Sequence, residues 1–146
     1  KLRATDCTAK CVVVGDFEAD KCGLLQAAAG DRSHCHNGND FCPGVFENRT
    51  VDVDIGLSED GPVSLSLWDT TGLENYDRLM ALIYPETDVF IICFSLTSPQ
   101  GWRRVLEKWH SELRQNCPDA AIVLVGTNLE QRNSAMTSSL ASSSMM

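Results

Sequence analysis

Three short apolar runs constrain this chain most: Cys11–Val14, Val89–Phe94 and Ala121–Val125. Each is strand-length and apolar at successive positions, so each reads as a strand buried on both faces, which requires a sheet covered on both sides. The intervening segments supply that cover. Lys21–Ala29 carries Leu24, Leu25 and Ala28 on one side and stops at Gly30, predicting a helix. Trp102, Val105, Leu106, Trp109 and Leu113 recur with a 3.6-residue period, predicting an amphipathic helix with both tryptophans toward the core. Val51–Ile55 and Val63–Leu67 alternate apolar and polar residues around Ser58–Pro62, which has turn chemistry, so they predict an antiparallel hairpin with one wet face. The resulting order is strand, helix, hairpin, helix, strand, helix, strand. It implies an α/β fold with a mostly parallel sheet, one antiparallel hairpin and helices on both faces.

At 146 residues and 43% hydrophobic content the chain is sized for one domain with a real core. Residues 1–9 read as a polar lead-in, 10–132 as the domain, and 133–146 as a Ser- and Met-rich disordered tail. A formal charge of −8 argues against a sequence-independent grip on nucleic acid or anionic lipid, since both are polyanions. Seven scattered cysteines without a secretory leader indicate reduced thiols and a cytoplasmic setting. His34, Cys35, His36 and Cys42 place four soft ligands within nine residues, but the spacing matches no standard zinc knuckle.

In sheets of this kind ligands bind beyond the carboxyl ends of the strands. After the first strand stands Gly15-Asp16-Phe17-Glu18-Ala19-Asp20-Lys21-Cys22. Against the phosphate-loop pattern G-x-x-x-x-G-K-[ST] it keeps the first glycine and the lysine, with Asp20 and Cys22 in place of the other two. After the hairpin stands WDTTGLENYDRL, Trp68–Leu79. This segment resembles switch II of Rho-family GTPases, and CPGVFENR, Cys42–Arg49, resembles their switch I. VVVGD, YPETDVFIICFSLTSP and VLEKWHSELRQNCPDAAIVLVG continue in register, so the resemblance covers about residues 10–132. Leu24-Leu25-Gln26 and Cys117-Pro118 lean toward the atypical Rnd branch, whereas Asp77-Arg78-Leu79 is ordinary Rho.

The resemblance implies a Ras-like P-loop fold and a GTP-dependent switch acting in signalling, on actin or cell shape, with GTP or GDP and Mg2+ as cofactors. By position, Gly15, Asp16, Ala19, Asp20, Lys21 and Cys22 would contact phosphates, and Gly44 and Asp69 would lie at the magnesium, Asp69 through water. Gly72 would be the switch II hinge, and Thr127, Asn128 and Glu130 would face the base. Val45, Phe46, Glu47, Asn48, Tyr76 and Leu79 would meet Rho-type effectors or regulators.

Several positions carry altered chemistry. Glu18 and Asp20 bring negative charge toward a polyanion, and Phe17 brings a ring. Cys22 is a soft substitute for a hydroxyl on a hard ion, and Gly44 lacks the side-chain oxygen of the family threonine. Leu73 stands at the glutamine that orients the attacking water, so no intact catalytic residue remains and hydrolysis is expected to be severely impaired. The base motif lacks its stacking lysine. Both cofactors are therefore expected to bind weakly. The family continues with a further strand, a final helix and a prenylated end; the sequence implies their loss, the absence of a direct membrane anchor, and a bare sheet edge at Ala121–Val125 prone to self-association.

Overall fold

A computed structural model describes residues 8–28, 30, 46–54, 62–70 and 77–143, with the side chains of 46, 47, 77 and 139–143 excepted. The chain forms β1 (Thr8–Gly15), α1 (Lys21–Ala28), β2 (Phe46–Val53), β3 (Val63–Thr70), α2 (Asp77–Met80), β4 (Val89–Ser95), α3 (Pro99–Arg104), α4 (His110–Asn116), β5 (Ala121–Thr127) and α5 (Leu129–Ser143). A 3-10 turn, Phe17–Ala19, joins β1 to α1, and a π-helical segment, Val105–Trp109, joins α3 to α4. The sheet order is β2-β3-β1-β4-β5; among the described strands only the β2–β3 pair is antiparallel. The α/β architecture and the single antiparallel hairpin are those expected from the apolar pattern.

Strand β1 lies at the centre because Val12, Val13 and Val14 have no polar atom to expose on either face, and all three are fully buried. Alternation along the strand divides the core. Val12, Val14, Phe90 and Ile92 face Met80, Tyr84, Trp109 and Leu113, while Cys11, Val13, Leu67 and Cys93 face Ala19 and Leu25. Helices thus cover both sides, as the doubly apolar strands require.

The long helical run begins earlier than the periodicity of its apolar residues indicates. Ser98 Oγ accepts the Gly101 N–H at 3.1 Å, and Pro99 fills the first turn, where its missing N–H costs nothing. Trp109 is buried, but Trp102 is 42% exposed and leans on Phe94 with ring centroids 5.1 Å apart, so only one tryptophan is core. The π-helical insertion changes the angular phase between the two residues.

Two further expectations are corrected. Residues 133–143 are not a disordered tail; they extend α5. No Gly or Pro interrupts Leu129–Ser143, and the hydroxyls that disfavour helix elsewhere bond back along it, Thr137 Oγ1 to Asn133 O at 2.9 Å and Ser138 Oγ to Ser134 O at 3.0 Å. β5 is not a buried strand either. Among the described residues it pairs with β4 alone, and Val123 and Leu124 are 47% and 49% exposed. The bare edge expected at Ala121–Val125 is what the described strands present.

Candidate functional site

Each strand-end residue singled out above is placed by an identifiable local cause. Gly15 has φ +144, and a Cβ there would collide with the Cys93 carbonyl on β4, so β1 can end this close to β4 only with glycine. The chain then runs extended through Asp16 and makes one tight turn, closed by Ala19 N–H to Asp16 O at 3.1 Å. Asp20 follows in the left-handed region, φ 44 and ψ 48, which redirects the backbone into α1. A side chain in that region costs roughly 1–2 kcal/mol, which is why the loop pattern favours glycine there. The Asp20 carboxylate offsets part of this by accepting the Gly23 N–H at 3.3 Å.

Lys21 opens α1 and is only 6% exposed. Its Nζ donates to Gly15 O and Asp16 O, both at 2.9 Å, so the loop is wrapped over its own cation. Burial pushes the ammonium pKa down, opposed mainly by the carboxylate of Asp69 and further by those of Asp16 and Asp20. Asp69 arrives from the carboxyl end of β3, directly beside Val13 in register. The next residue, Thr70, locks that strand end by donating its hydroxyl to Val13 O at 2.6 Å. Cys22 Sγ accepts from Gln26 Nε2 at 3.7 Å. Cys22, Gln26 and Asp69, with Leu25, Arg49 and Leu67, line a small open recess. Phe17 is 66% exposed on the 3-10 turn of the loop.

The far strand end reaches the same loop. Asn128, at φ 59, donates through Nδ2 to Glu18 O at 3.2 Å and to Ser95 Oγ at 3.0 Å. Thr127 Oγ1 donates to Phe94 O at 3.2 Å. Glu130 is exposed in the first turn of α5. The structure thus brings Gly15, Asp16, Ala19, Asp20, Lys21, Cys22, Asp69 and Asn128 to one end of the sheet. Phe46, Glu47 and Asn48 pair with Thr70, Asp69 and Trp68 as the start of β2, and Leu79 is 42% exposed on α2. Gly44, Val45, Gly72, Leu73 and Tyr76 lie outside the described residues, as do His34, Cys35, His36 and Cys42.

Two site residues escape a reading of local motifs. Asp16 Oδ1 accepts from Arg104 Nε at 2.8 Å and from Trp109 Nε1 at 3.0 Å, which ties the loop to the helical run. The partners are 88 and 93 residues away in sequence, so no spacing signals the contact.

A divalent cation fits this donor set poorly. Asp69 offers hard oxygens, but Cys22 offers sulfur, and among the described residues no group of three or more His, Cys, Asp or Glu side chains is placed to hold a metal. A phosphate group fits in part, with Lys21 as counter-charge and Asp20 as a like charge at the same helix end. The sequence model of the Ras family matches residues 10–145, from the third residue of β1 to beyond the end of α5. Members of that family are signalling GTPases that bind GTP or GDP with Mg2+ and engage effectors and regulators. With 136 of 146 positions matched (145 − 10 + 1) and the five strands in the corresponding α/β arrangement, the chain belongs to the Ras family.

Proposed function

We propose that this chain is a Rho-like signalling domain that holds guanine nucleotide weakly, hydrolyses it negligibly, and acts on effectors or regulators through its switch segments in the cytoplasm, on actin or cell shape. The observation that carries nucleotide contact is Lys21. Its ammonium is fixed by two loop carbonyls at 2.9 Å, which use two of its three protons and leave one to reach a phosphate oxygen. The switch I and switch II resemblances at Cys42–Arg49 and Trp68–Leu79 support the Rho assignment.

Impaired hydrolysis follows from the residue types. Leu73 has no polar atom to orient water, and an arginine finger from an activating protein does not replace that function. Weak and magnesium-insensitive binding follows from Cys22 and Gly44, which remove two oxygen ligands. Single-turnover phosphate release with excess protein tests the first point: a rate near that of ordinary small GTPases overturns it. Fluorescent GTP titration with and without EDTA tests the second: tight binding abolished by EDTA overturns it.

A second reading, a pseudo-GTPase that binds partners without nucleotide, is favoured by the Asp20 carboxylate at the start of α1. Thermal melts separate the two. A rise in Tm with GTP marks a nucleotide switch, because a ligand that binds only the folded state stabilises it by RT ln(1 + [L]/Kd). A cooperative melt that GTP does not move marks the interaction module.

A further inference from the structure

We infer that Asp20 and Gly23 are a matched pair that closes the phosphate loop on itself. The Asp20 carboxylate acts as a built-in anion over the first turn of α1 and excludes the phosphates of a nucleotide. The inference rests on the reading of this loop as the nucleotide site and explains why affinity there is low.

The backbone of Asp20 and the position of its carboxylate both point to it. Asp20 adopts φ 44 and ψ 48, where an L side chain is strained, so something holds it there. Its Oδ1 accepts the Gly23 N–H at 3.3 Å. A Cβ built on Gly23 would meet Asp20 Oδ2 at 2.6 Å, Oδ1 at 2.8 Å and Cγ at 2.9 Å. The carboxylate therefore lies against the Cα of Gly23, in space that any other residue at 23 would fill. Glycine inside an eight-residue helix is otherwise unfavourable, and here it is what admits the carboxylate.

The N–H groups at the start of a helix are the donors a phosphate uses. Here the Gly23 N–H is turned to Asp20 Oδ1, and the Ala19 N–H of the loop is turned to Asp16 O at 3.1 Å. A phosphate oxygen entering this cradle would compete for those donors and approach a like charge. At ~4 Å and an effective dielectric near 20, that repulsion alone weakens binding by on the order of a thousandfold before screening, and about tenfold to a hundredfold after it. The same contact caps α1, so it stabilises the fold while it opposes the ligand.

The test uses the whole chain and two readouts. Calorimetric titration with tripolyphosphate and with GTP compares the unsubstituted protein with Asp20→Asn, Asp20→Gly, Gly23→Ala and the double variant Asp20→Gly/Gly23→Ala. Asp20→Asn and Asp20→Gly are expected to bind at least tenfold tighter, and Gly23→Ala tighter because its methyl evicts the carboxylate. Asp20→Asn retains a capping side chain without the charge, so the measurement survives if Asp20→Gly folds poorly. Measurable binding that is equal or weaker in both Asp20 variants overturns the inference. Thermal melts without ligand read the pair itself: Gly23→Ala lowers Tm when Asp20 is present and raises it in the Asp20→Gly background, where alanine simply improves the helix. The same sign in both backgrounds overturns the pairing. A reversed sign with no binding by any variant at millimolar tripolyphosphate supports the closed contact and overturns the nucleotide reading instead.

Discussion

The two faces of the sheet are packed to different standards. One is filled by large side chains, with Trp109, Tyr84, Phe90, Met80 and Leu113 all buried around Val12 and Val14. Tyr84 meets Phe90 edge to face, with centroids 5.4 Å apart and planes at 86°. The other is filled by small ones, Cys11, Val13, Ala19 and Cys93 with Leu25 and Leu67, beneath the short helix α1. The phosphate loop sits on the second face. The site therefore rests on the side lined by the smaller buried side chains, and burial of large apolar side chains is concentrated on the side away from α1. Local openings are expected to begin at the loop and not at the aromatic face.

The most direct way to break this comparison is to truncate one anchor on each face. Trp109→Ala is expected to cost about 3–5 kcal/mol, and Leu25→Ala about 2 kcal/mol, the low end of the usual range because the small-residue face can collapse around the gap. Urea denaturation followed by far-UV circular dichroism measures both. Equal costs would mean that the faces are equivalent. A smaller effect is expected where they are joined. Asp16→Asn keeps the shape but removes the charge that Arg104 and Trp109 share, for a loss of roughly 1–3 kcal/mol. Native-state hydrogen exchange should then show α1 opening more often while β4 is unchanged. Faster exchange in both would show that the two faces open as one unit.

The thin face also carries a pH signature. Burial raises the Cys11 and Cys93 thiols from 9.0 to about 11. Both groups are neutral in the folded and unfolded chains below pH 9. Between pH 9 and about 11 the unfolded chain loses these protons and the folded chain keeps them, so stability falls with rising pH. Lys21, lowered by burial, works the other way: its contribution is present above its ordinary pKa of 10.5 and lost as pH falls through its folded value. Thermal melts at pH 8, 9.5 and 11 are expected to show a net decline that flattens in the Cys11→Ala/Cys93→Ala variant. An unchanged slope would place the alkaline sensitivity elsewhere. The smallest effect on stability is expected at the rim of the sheet. Val123→Lys should change it by less than about 0.5 kcal/mol, because nearly half of Val123 is already in water. Any self-association through β5 should nevertheless fall, since a charged edge resists strand pairing. Size-exclusion chromatography with light scattering reads it. A monodisperse unsubstituted monomer with slow exchange through Ala121–Val125 would remove the edge as an association site.

The strands were legible because apolar runs such as Val89–Phe94 leave few alternatives, and the loop was legible because Gly15 and Lys21 keep their spacing after a strand. The start of α3 was also written in the sequence, as Ser98-Pro99, although hydrophobic periodicity alone begins at Trp102. What could not be read locally was the phase change in the helical run, and with it the different fates of Trp102 and Trp109. The left-handed turn at Asp20 was hidden too. Sequence marks that residue as a misplaced charge, and only the fold shows that the glycine three residues on accommodates it. The helical state of 133–143 was obscured by serine content, which describes solubility better than conformation.

The bond between Trp109 and Asp16 also has a spectroscopic side. The chain has three tryptophans, and they occupy unlike settings: Trp68 beneath the Lys10 ammonium at 5.2 Å, Trp102 half in water, and Trp109 buried with a carboxylate on its indole N–H and the Lys108 ammonium 4.7 Å from its ring centre. An indole held between opposite charges has an emission energy set by the local field. Asp16 is a residue of the phosphate loop, so Trp109 reports optically on the loop without an added label. Replacing Trp68 and Trp102 with phenylalanine isolates that signal, and loop rearrangement becomes a wavelength shift readable in a stopped-flow trace.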